Sequence, residues 1–169
     1  CWCMSAPGAI MATACGCAAA THRGTAMNEK ARPDKAPAMS PSDIPVEVVL
    51  DRATGPRRAE VHELLELFRE VSGEEPVVWA GHIVGFGEHP YEHPSGRTGI
   101  SPVLAFAPAG SHHTIYLAED FAERWPELLS DLGKHRASKV CLYLTRLSNV
   151  DRNVLRELLV RTRDETLAS

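Results

Sequence analysis

The sequence lacks a long apolar run: none of its uninterrupted hydrophobic stretches approaches the roughly 18 residues that a membrane-spanning helix needs. It also lacks a basic excess, because 18 Lys and Arg stand against 22 Asp and Glu and leave a formal net charge of -4. A mildly acidic chain has no electrostatic footprint for nucleic acid. Its 169 residues, 44% of them hydrophobic, suffice for one ordinary globular domain. We therefore expect neither a membrane nor nucleic acid as the partner.

Catalytic signatures are equally scarce. The sequence contains no P-loop, no nucleophile elbow and no His-Glu-x-x-His motif. Gly85 and Gly87 could begin a dinucleotide-binding fingerprint, but Pro90 stands where the third glycine is required. No nucleophile can be paired with a base, which favours a protein that is not an enzyme without settling the question.

Cysteine is rare in the body of the chain, where Cys141 stands alone in an apolar segment typical of a buried strand. The other four cysteines form two Cys-x-Cys pairs, Cys1/Cys3 and Cys15/Cys17. Zinc modules usually space their cysteine pairs more widely, so we do not expect a metal there. The initial cysteine has two interpretations, a lipid-modified mature terminus or a start site placed too early, and we favour the second.

Residues 28–43 have the composition of a linker, with repeated prolines among polar side chains. We place the domain boundary near Ser40. Residues 1–40 are therefore predicted to be a disordered Ala-, Cys- and Pro-rich tail or a mis-assigned start, and residues 41–169 to be one folded domain.

The surest element is a helix that opens at Pro56, where a missing N–H costs nothing, and ends at Gly73, a residue that favours helix termination. Its apolar residues recur at the spacing of a single inward stripe. Its glutamates are predicted to lie on the solvent side: Glu60, Glu63, Glu66 and Glu70.

Two further helical regions are expected. Residues 119–133 should form a helix interrupted near Trp125, because Pro126 cannot continue it. Residues 148–151 resemble a capping box that opens the last helix. The strands between the helices, with a loop at residues 95–99, are joined by turns too short for a parallel crossover. The predicted fold class is α+β: an antiparallel β-sheet with helices packed on one face.

Several motifs follow one another along residues 45–162: Gly73-Glu74-Glu75-Pro76, Trp79, Ile83-Val84-Gly85-Phe86-Gly87, Tyr91, Ser95-Gly96-Arg97, Leu132-Gly133-Lys134-His135, Cys141-Leu142-Tyr143 and Arg146-Leu147 with Asp151. In this order the chain resembles the YdhG-like domain family (domain of unknown function 1801). The resemblance implies a small cytoplasmic bacterial α+β domain, and most family members have no assigned activity. One member of the wider family is described as a frataxin-like iron chaperone, which implies weakly bound iron and iron–sulfur assembly proteins as partners.

The leading prediction is therefore a non-enzymatic binding or chaperone-type domain that handles iron weakly for iron–sulfur assembly. An acidic ridge is where oxygen ligands for iron would lie, and its candidate ligands are Glu119, Asp120 and Glu123. The alternative interpretation of this ridge is a solvated face. Histidines could also converge on a metal: His82, His89, His93, His112, His113 and His135.

The alternative function is a pocket that binds a small anionic metabolite and could be catalytic. Its candidate residues are Trp79, Tyr91, Ser95, Arg97, Lys134 and His135. The Arg97 guanidinium is suited to grip a carboxylate or phosphate with two hydrogen bonds, although an ion pair with Glu88 or Glu92 would explain it equally well. Lys134 and His135 could complete the pocket or simply interact with the C-terminal end of the preceding helix.

Overall fold

The structure is a computed structural model that describes residues 39–92, 95–96 and 98–169. Residues 1–38 lie outside this range, and with them the predicted tail and both Cys-x-Cys pairs. Three residues of the central region also lie outside it, His93, Pro94 and Arg97. The predictions for the tail and for Arg97 therefore stay predictions.

Nine strands form two antiparallel sheets. The strands are β1 (Pro41–Ser42), β2 (Pro76–Trp79), β3 (Ile83–Phe86), β4 (His89–Glu92), β5 (Thr98–Ser101), β6 (Leu104–Pro108), β7 (His113–Tyr116), β8 (Arg136–Ala137) and β9 (Cys141–Leu144). Seven of them make the main sheet in the order β1-β2-β3-β6-β7-β9-β8, and β4 pairs with β5 in a separate hairpin. Every pairing among these strands is antiparallel. The short connections predict this for β2–β3, β4–β5 and β6–β7, whereas longer segments join the partners in β1–β2, β3–β6 and β7–β9.

The helices are α1 (Val46–Leu50), α2 (Arg57–Ser72), α3 (Phe121–Arg124), α4 (Pro126–Leu132) and α5 (Arg152–Ala168), with a 3-10 turn at Leu147–Asn149. The end of α2 is confirmed, because Gly73 closes it in the left-handed conformation at φ 73°. The predicted interruption at Trp125 separates α3 from α4. Within the described range, none of these helices combines the length and the apolar character needed to cross a bilayer.

The main core lies between the sheet and one helical layer. Phe68 from α2 packs against Phe86 of β3 and Phe106 of β6, with ring centroids 5.5 and 4.9 Å away. Leu155, Leu158 and Leu159 of α5 are buried in the same cluster. Burying these large side chains is the main favourable term in folding this domain. The predicted fold class, α+β with an antiparallel sheet and helices on one face, is what the structure shows.

The opposite face of the sheet carries a smaller apolar cluster of Trp79, Ile83 and Ala105, against which Met39 packs. The Trp79 indole lies across Gly85, so closely that a Cβ on that glycine would be within 2.7 Å of both the indole and Pro102. A glycine is therefore required at this point of β3 for the indole to reach the sheet.

Two local predictions are wrong, and one element was not predicted. α1 was not expected, and β5 begins at Thr98, inside the predicted loop. The last helix is capped by the Asp151 carboxylate, which accepts hydrogen bonds from the N–H groups of Asn153 and Val154, and not by Ser148. Residues 147–149 instead form the 3-10 turn that precedes it.

The glycine requirement at Gly85 can be tested directly. Gly85→Ala is expected to destabilise the domain by about 1–3 kcal/mol, the usual range for overpacking, because the added Cβ would overlap both the indole and the proline. Gly110→Ala is the matched control, since its added Cβ would meet its nearest neighbour at 3.5 Å. Urea unfolding measures both, and equal midpoints for the two variants would contradict the close-contact argument.

Candidate functional site

The structure divides the predicted ligand-pocket residues among separate places. Trp79 lies on β2, whereas Lys134 and His135 come just before β8, at the other edge of the sheet. Five strand spacings separate β2 from β8, which amounts to about 24 Å. Tyr91 and Ser95 belong to the β4–β5 hairpin and its connecting turn, and Arg97 lies outside the described residues. Only Lys134 and His135 share a pocket.

Trp79 contributes to a pocket of about 400 Å³ whose other lining residues are Glu74, Glu75, Val77, Gly87 and Glu88. Three carboxylates at its rim make this place unfavourable for an anion. The Trp79 side chain is only 1% exposed, so little of the indole is accessible to a ligand.

Tyr91 lies beside a third pocket, of about 310 Å³, which it shares with Glu119, Arg124 and Glu165. Its ring covers Gly99 across the hairpin, where a Cβ would come within 2.9 Å of the ring. The tyrosine therefore has a packing role within the hairpin.

The residues that do converge form what we call the basic pocket, a shallow depression of about 210 Å³ at the β8 edge of the sheet. It is lined by Ser111, His112, Lys134, His135, Arg136, Tyr143 and Thr145. None of these seven side chains is acidic, and four are basic or can become so. A depression of this composition attracts anions.

Strand pairing holds the centre of the basic pocket. Arg136 lies directly opposite Tyr143 in the β8–β9 register. Its guanidinium covers the Tyr143 ring at 4.5 Å from the centroid, and His112 approaches the same ring edge-on at 5.6 Å. A guanidinium stacked on an aromatic face keeps its N–H groups free for a carboxylate or phosphate.

A tight crossing of the chain positions Lys134 and His135. Gly133 has φ 101°, and a Cβ there would collide with the carbonyl oxygen of Asn149. The N–H of Lys134 donates to that same oxygen at 3.0 Å, and a ring nitrogen of His135 lies 2.8 Å from the Gly133 oxygen. The predicted role of Gly133 as a helix terminator is therefore only part of its function, because it also admits the passing backbone.

Arg57, in the first turn of α2, holds the two loops that contribute Ser111 and Thr145 to the basic pocket. Arg57 donates one hydrogen bond to the Thr145 oxygen and another to the Gly110 oxygen, both at 2.9 Å. Thr145 follows β9, and Gly110 belongs to the turn that leads into Ser111. One arginine thus fixes the separation of two loops that line the basic pocket.

One turn further along α2, Glu60 is buried, with an exposed fraction of 7%. Its carboxylate accepts hydrogen bonds from the Arg146 guanidinium at 2.8 Å and from the Leu147 N–H at 3.1 Å. His113 lies alongside, with Nε2 3.4 Å from a Glu60 oxygen. The prediction that Glu60 lies on the solvent side is wrong, because Arg146 and the Leu147 N–H replace the water that its carboxylate would otherwise need.

His113 is fully buried, and neither of its ring nitrogens has a hydrogen-bond partner among the described residues. Burial lowers the pKa of His113, and the neighbouring Glu60 only partly opposes this effect. Burial alone would raise the pKa of Glu60, but the hydrogen bonds from Arg146 and Leu147 and the positive charge of Arg146 outweigh it, so that pKa is lowered. The native cluster therefore holds a neutral imidazole beside an ionised carboxylate.

Both lowered pKa values predict a domain that loses stability in acid. Below the ordinary histidine pKa of 6.5, His113 binds a proton in the unfolded chain but less readily in the folded domain, so protonation favours unfolding. The same applies to Glu60 below its ordinary pKa of about 4.5. The melting temperature should therefore fall as pH drops from 7.5 to 5.5, by about 3 °C for each kcal/mol lost.

His113→Gln should flatten this part of the pH profile, because glutamine does not titrate. His62→Gln is the control, since His62 is exposed on the same helix as Glu60. An acid loss of stability of the same size in His113→Gln and in the parent would show that His113 is not its source. Thermal unfolding at a series of pH values measures all three proteins.

The acidic ridge has a partner of its own. Glu119 forms an ion pair with Lys139, and this contact lowers the pKa of Glu119. Asp120 and Glu123 also act on the same lysine and, after Glu119, help to raise its pKa. Within residues 39–169, apart from the three omitted positions, no group of three or more His, Cys, Asp and Glu side chains is placed to hold a metal. Lys139 is thus paired with Glu119, and the prediction that the three carboxylates hold iron stays a prediction.

The histidines do not gather either. His112 and His135 share the basic pocket, His113 lies in the buried cluster, and His82 contacts the Ala80 oxygen in a turn. His93 is outside the described range. His89 begins β4, so the described histidines of this set occupy four different environments.

Sequence reasoning missed Ser111, His112, Arg136, Tyr143 and Thr145 as residues of one pocket. The run Lys134-His135-Arg136 is a local signal that was available, since three consecutive residues can carry positive charge. The opposite wall depends on the register of β7, β9 and β8, which no local pattern reports. No family model, no curated protein and no solved structure matches this chain, so the resemblance to YdhG-like domains stays a prediction.

Proposed function

We propose that this protein is a binding domain for a small molecule that carries a carboxylate, sulfate or phosphate group, and that the basic pocket is its site. The observation that carries the proposal is the convergence of Lys134, His135, Arg136 and His112 on a depression without an acidic side chain. This keeps the anionic ligand class of the sequence-based alternative, but moves the site away from Trp79 and Tyr91.

The size and composition of the pocket define the ligand further. About 210 Å³ accommodates one anionic group with a short polar body, and not a nucleotide or an extended chain. Arg136 would supply paired N–H groups to two oxygens of the anion, and Lys134 a single charge. Ser111 and Thr145 offer hydroxyl groups that can donate to a third oxygen.

A catalytic role has one supporting contact. The Ser111 hydroxyl lies 2.8 Å from Nδ1 of His112, the distance expected of a nucleophile and its base. No carboxylate lines the basic pocket to orient His112, however, and a serine–histidine pair needs such a third group for its full effect. The binding function is therefore the better-supported one.

Weak iron delivery, the function implied by the family resemblance, remains a separate proposal with less support. Of its candidate ligands, Glu119 is already paired with Lys139, and the ammonium charge, which Asp120 and Glu123 also help to stabilise, opposes a cation. Anaerobic titration of the parent and of Lys139→Gln with ferrous iron tests this reasoning. Tight binding by the parent would show that the lysine does not occupy the site.

Arg136 provides the sharpest test of the basic pocket. Arg136→Gln should weaken sulfate binding by about tenfold or more, since a charge-assisted bidentate contact contributes on the order of 1.5–3 kcal/mol. Arg136→Lys should recover only part of this loss, because lysine keeps the charge and loses the planar fork. The melting temperature of each protein with increasing sulfate reports the affinity.

Arg156→Gln is the charge-matched control. Arg156 forms an exposed ion pair with Glu70 between α5 and α2 and does not line the basic pocket. Chloride at equal ionic strength separates specific binding from general screening. If the Arg136 and Arg156 variants respond to sulfate alike, the anion does not bind in this pocket and the proposed function fails.

A further inference from the structure

The buried residues Glu60 and His113 form a cluster with the partly exposed Arg146, beside the basic pocket. His113 is next to His112, and Arg146 is next to Thr145, so two members of the cluster adjoin lining residues of the pocket. The third member, Glu60, is one helical turn from Arg57, which binds the same two loops. The cluster and the basic pocket are therefore attached to the same two chain segments, one around residues 110–113 and the other around residues 145–147.

His113 is the residue of this cluster whose protonation state can change. Its two ring nitrogens are enclosed without hydrogen-bond partners among the described residues, and Nε2 already lies 3.4 Å from a carboxylate oxygen. A protonated imidazole has two N–H donors and would gain a charge-assisted hydrogen bond to Glu60. The imidazole therefore lies beside an acceptor to which the neutral Nε2–H tautomer can donate, and with which the protonated ring makes a stronger, charge-assisted contact.

We propose that protonation of His113 strengthens anion binding in the basic pocket, so that the protein takes up an anion together with a proton. This inference rests on the proposed function of the pocket. A positive charge on His113, the chain neighbour of the lining residue His112, attracts an anion bound in the pocket. Linkage makes the effect reciprocal: a bound anion must favour protonation of His113 to the same extent.

The charges around His113 set the size of this effect. From α2 it faces the Glu60 carboxylate, which favours the protonated state, and the Arg57 guanidinium, which opposes it. His112, the residue just before His113, also opposes the protonated state, and Arg146 acts on His113 through its hydrogen bond to Glu60. Burial favours the neutral imidazole. A bound anion would partly offset the positive charges of Arg57 and His112, and would thereby weaken their opposition to the protonation of His113.

The reciprocal effect can be measured on the whole chain with sulfate, which stays divalent from pH 5 to 8 and adds no titration of its own. NMR resonances of the histidine rings are followed over this range with sulfate and with chloride at equal ionic strength, and the missing signal in His113→Gln assigns His113. We expect sulfate to raise the pH midpoint of His113. A midpoint that does not move while sulfate binds overturns the inference.

Affinity provides the second measurement. His112 and His135 line the pocket and add a pH dependence of their own, so the comparison is between the parent and His113→Gln. The ratio of sulfate affinities at pH 5.5 and 7.5 should be about fivefold larger in the parent, at the low end of usual coupling between sites. His62→Gln should match the parent, and circular dichroism checks that each variant is folded.

The two proposals fail in different ways. If sulfate binds and Arg136→Gln weakens it, but the parent and His113→Gln share one pH profile, the proton coupling is wrong and the pocket stands. If sulfate does not bind at any pH, the proposed function is wrong and the coupling falls with it.

Discussion

The buried carboxylate of Glu60 is the constraint on which the candidate site depends. An ionised carboxylate cannot be placed in an apolar core unless hydrogen bonds and charge compensate for the water it loses. Here Arg146 and the Leu147 N–H provide both, and they belong to the segment that follows β9. The requirement therefore fixes that segment against the first turn of α2. Arg57, on the same turn, binds the neighbouring loop oxygens and completes the attachment.

Local sequence patterns correctly predicted the features that depend on only a few neighbouring residues. The extent of α2, its glycine terminus and the break before Pro126 follow from propensity and sterics, which act within a few residues. Antiparallel pairing followed from loop length where a short turn joins the two strands, as between β2 and β3 and between β6 and β7. The same reasoning misplaced Glu60, although it stands four residues before Leu64 and eight before Phe68, on the buried stripe of α2. A polar residue on an apolar stripe is explained only by its partners, and here those partners are more than 50 residues away in the chain.

The candidate site was less predictable because closeness in sequence is a poor guide to a pocket in a meandering sheet. Trp79, Tyr91 and Arg97 are neighbours in the chain, but the chain leaves the main sheet after β3 to form the separate β4–β5 hairpin. Trp79 and Tyr91 consequently line different pockets. Lys134 and His135 instead meet side chains from β9 and from the turn before β7. The order of strands decides which loops meet, and that order is a property of the whole core.

The acidic balance of the chain does not oppose anion binding at the β8 edge. Electrostatic interactions between exposed charges are largely screened beyond about 8 Å at physiological ionic strength. The carboxylates around the Trp79 pocket are several strands away, at roughly three times that distance. Within the screening distance, the basic pocket presents Lys134, Arg136 and two histidines without an acidic lining residue. A net charge of -4 thus disfavours a long polyanion, which would cover both kinds of surface, while a small anion responds only to the charges beside it.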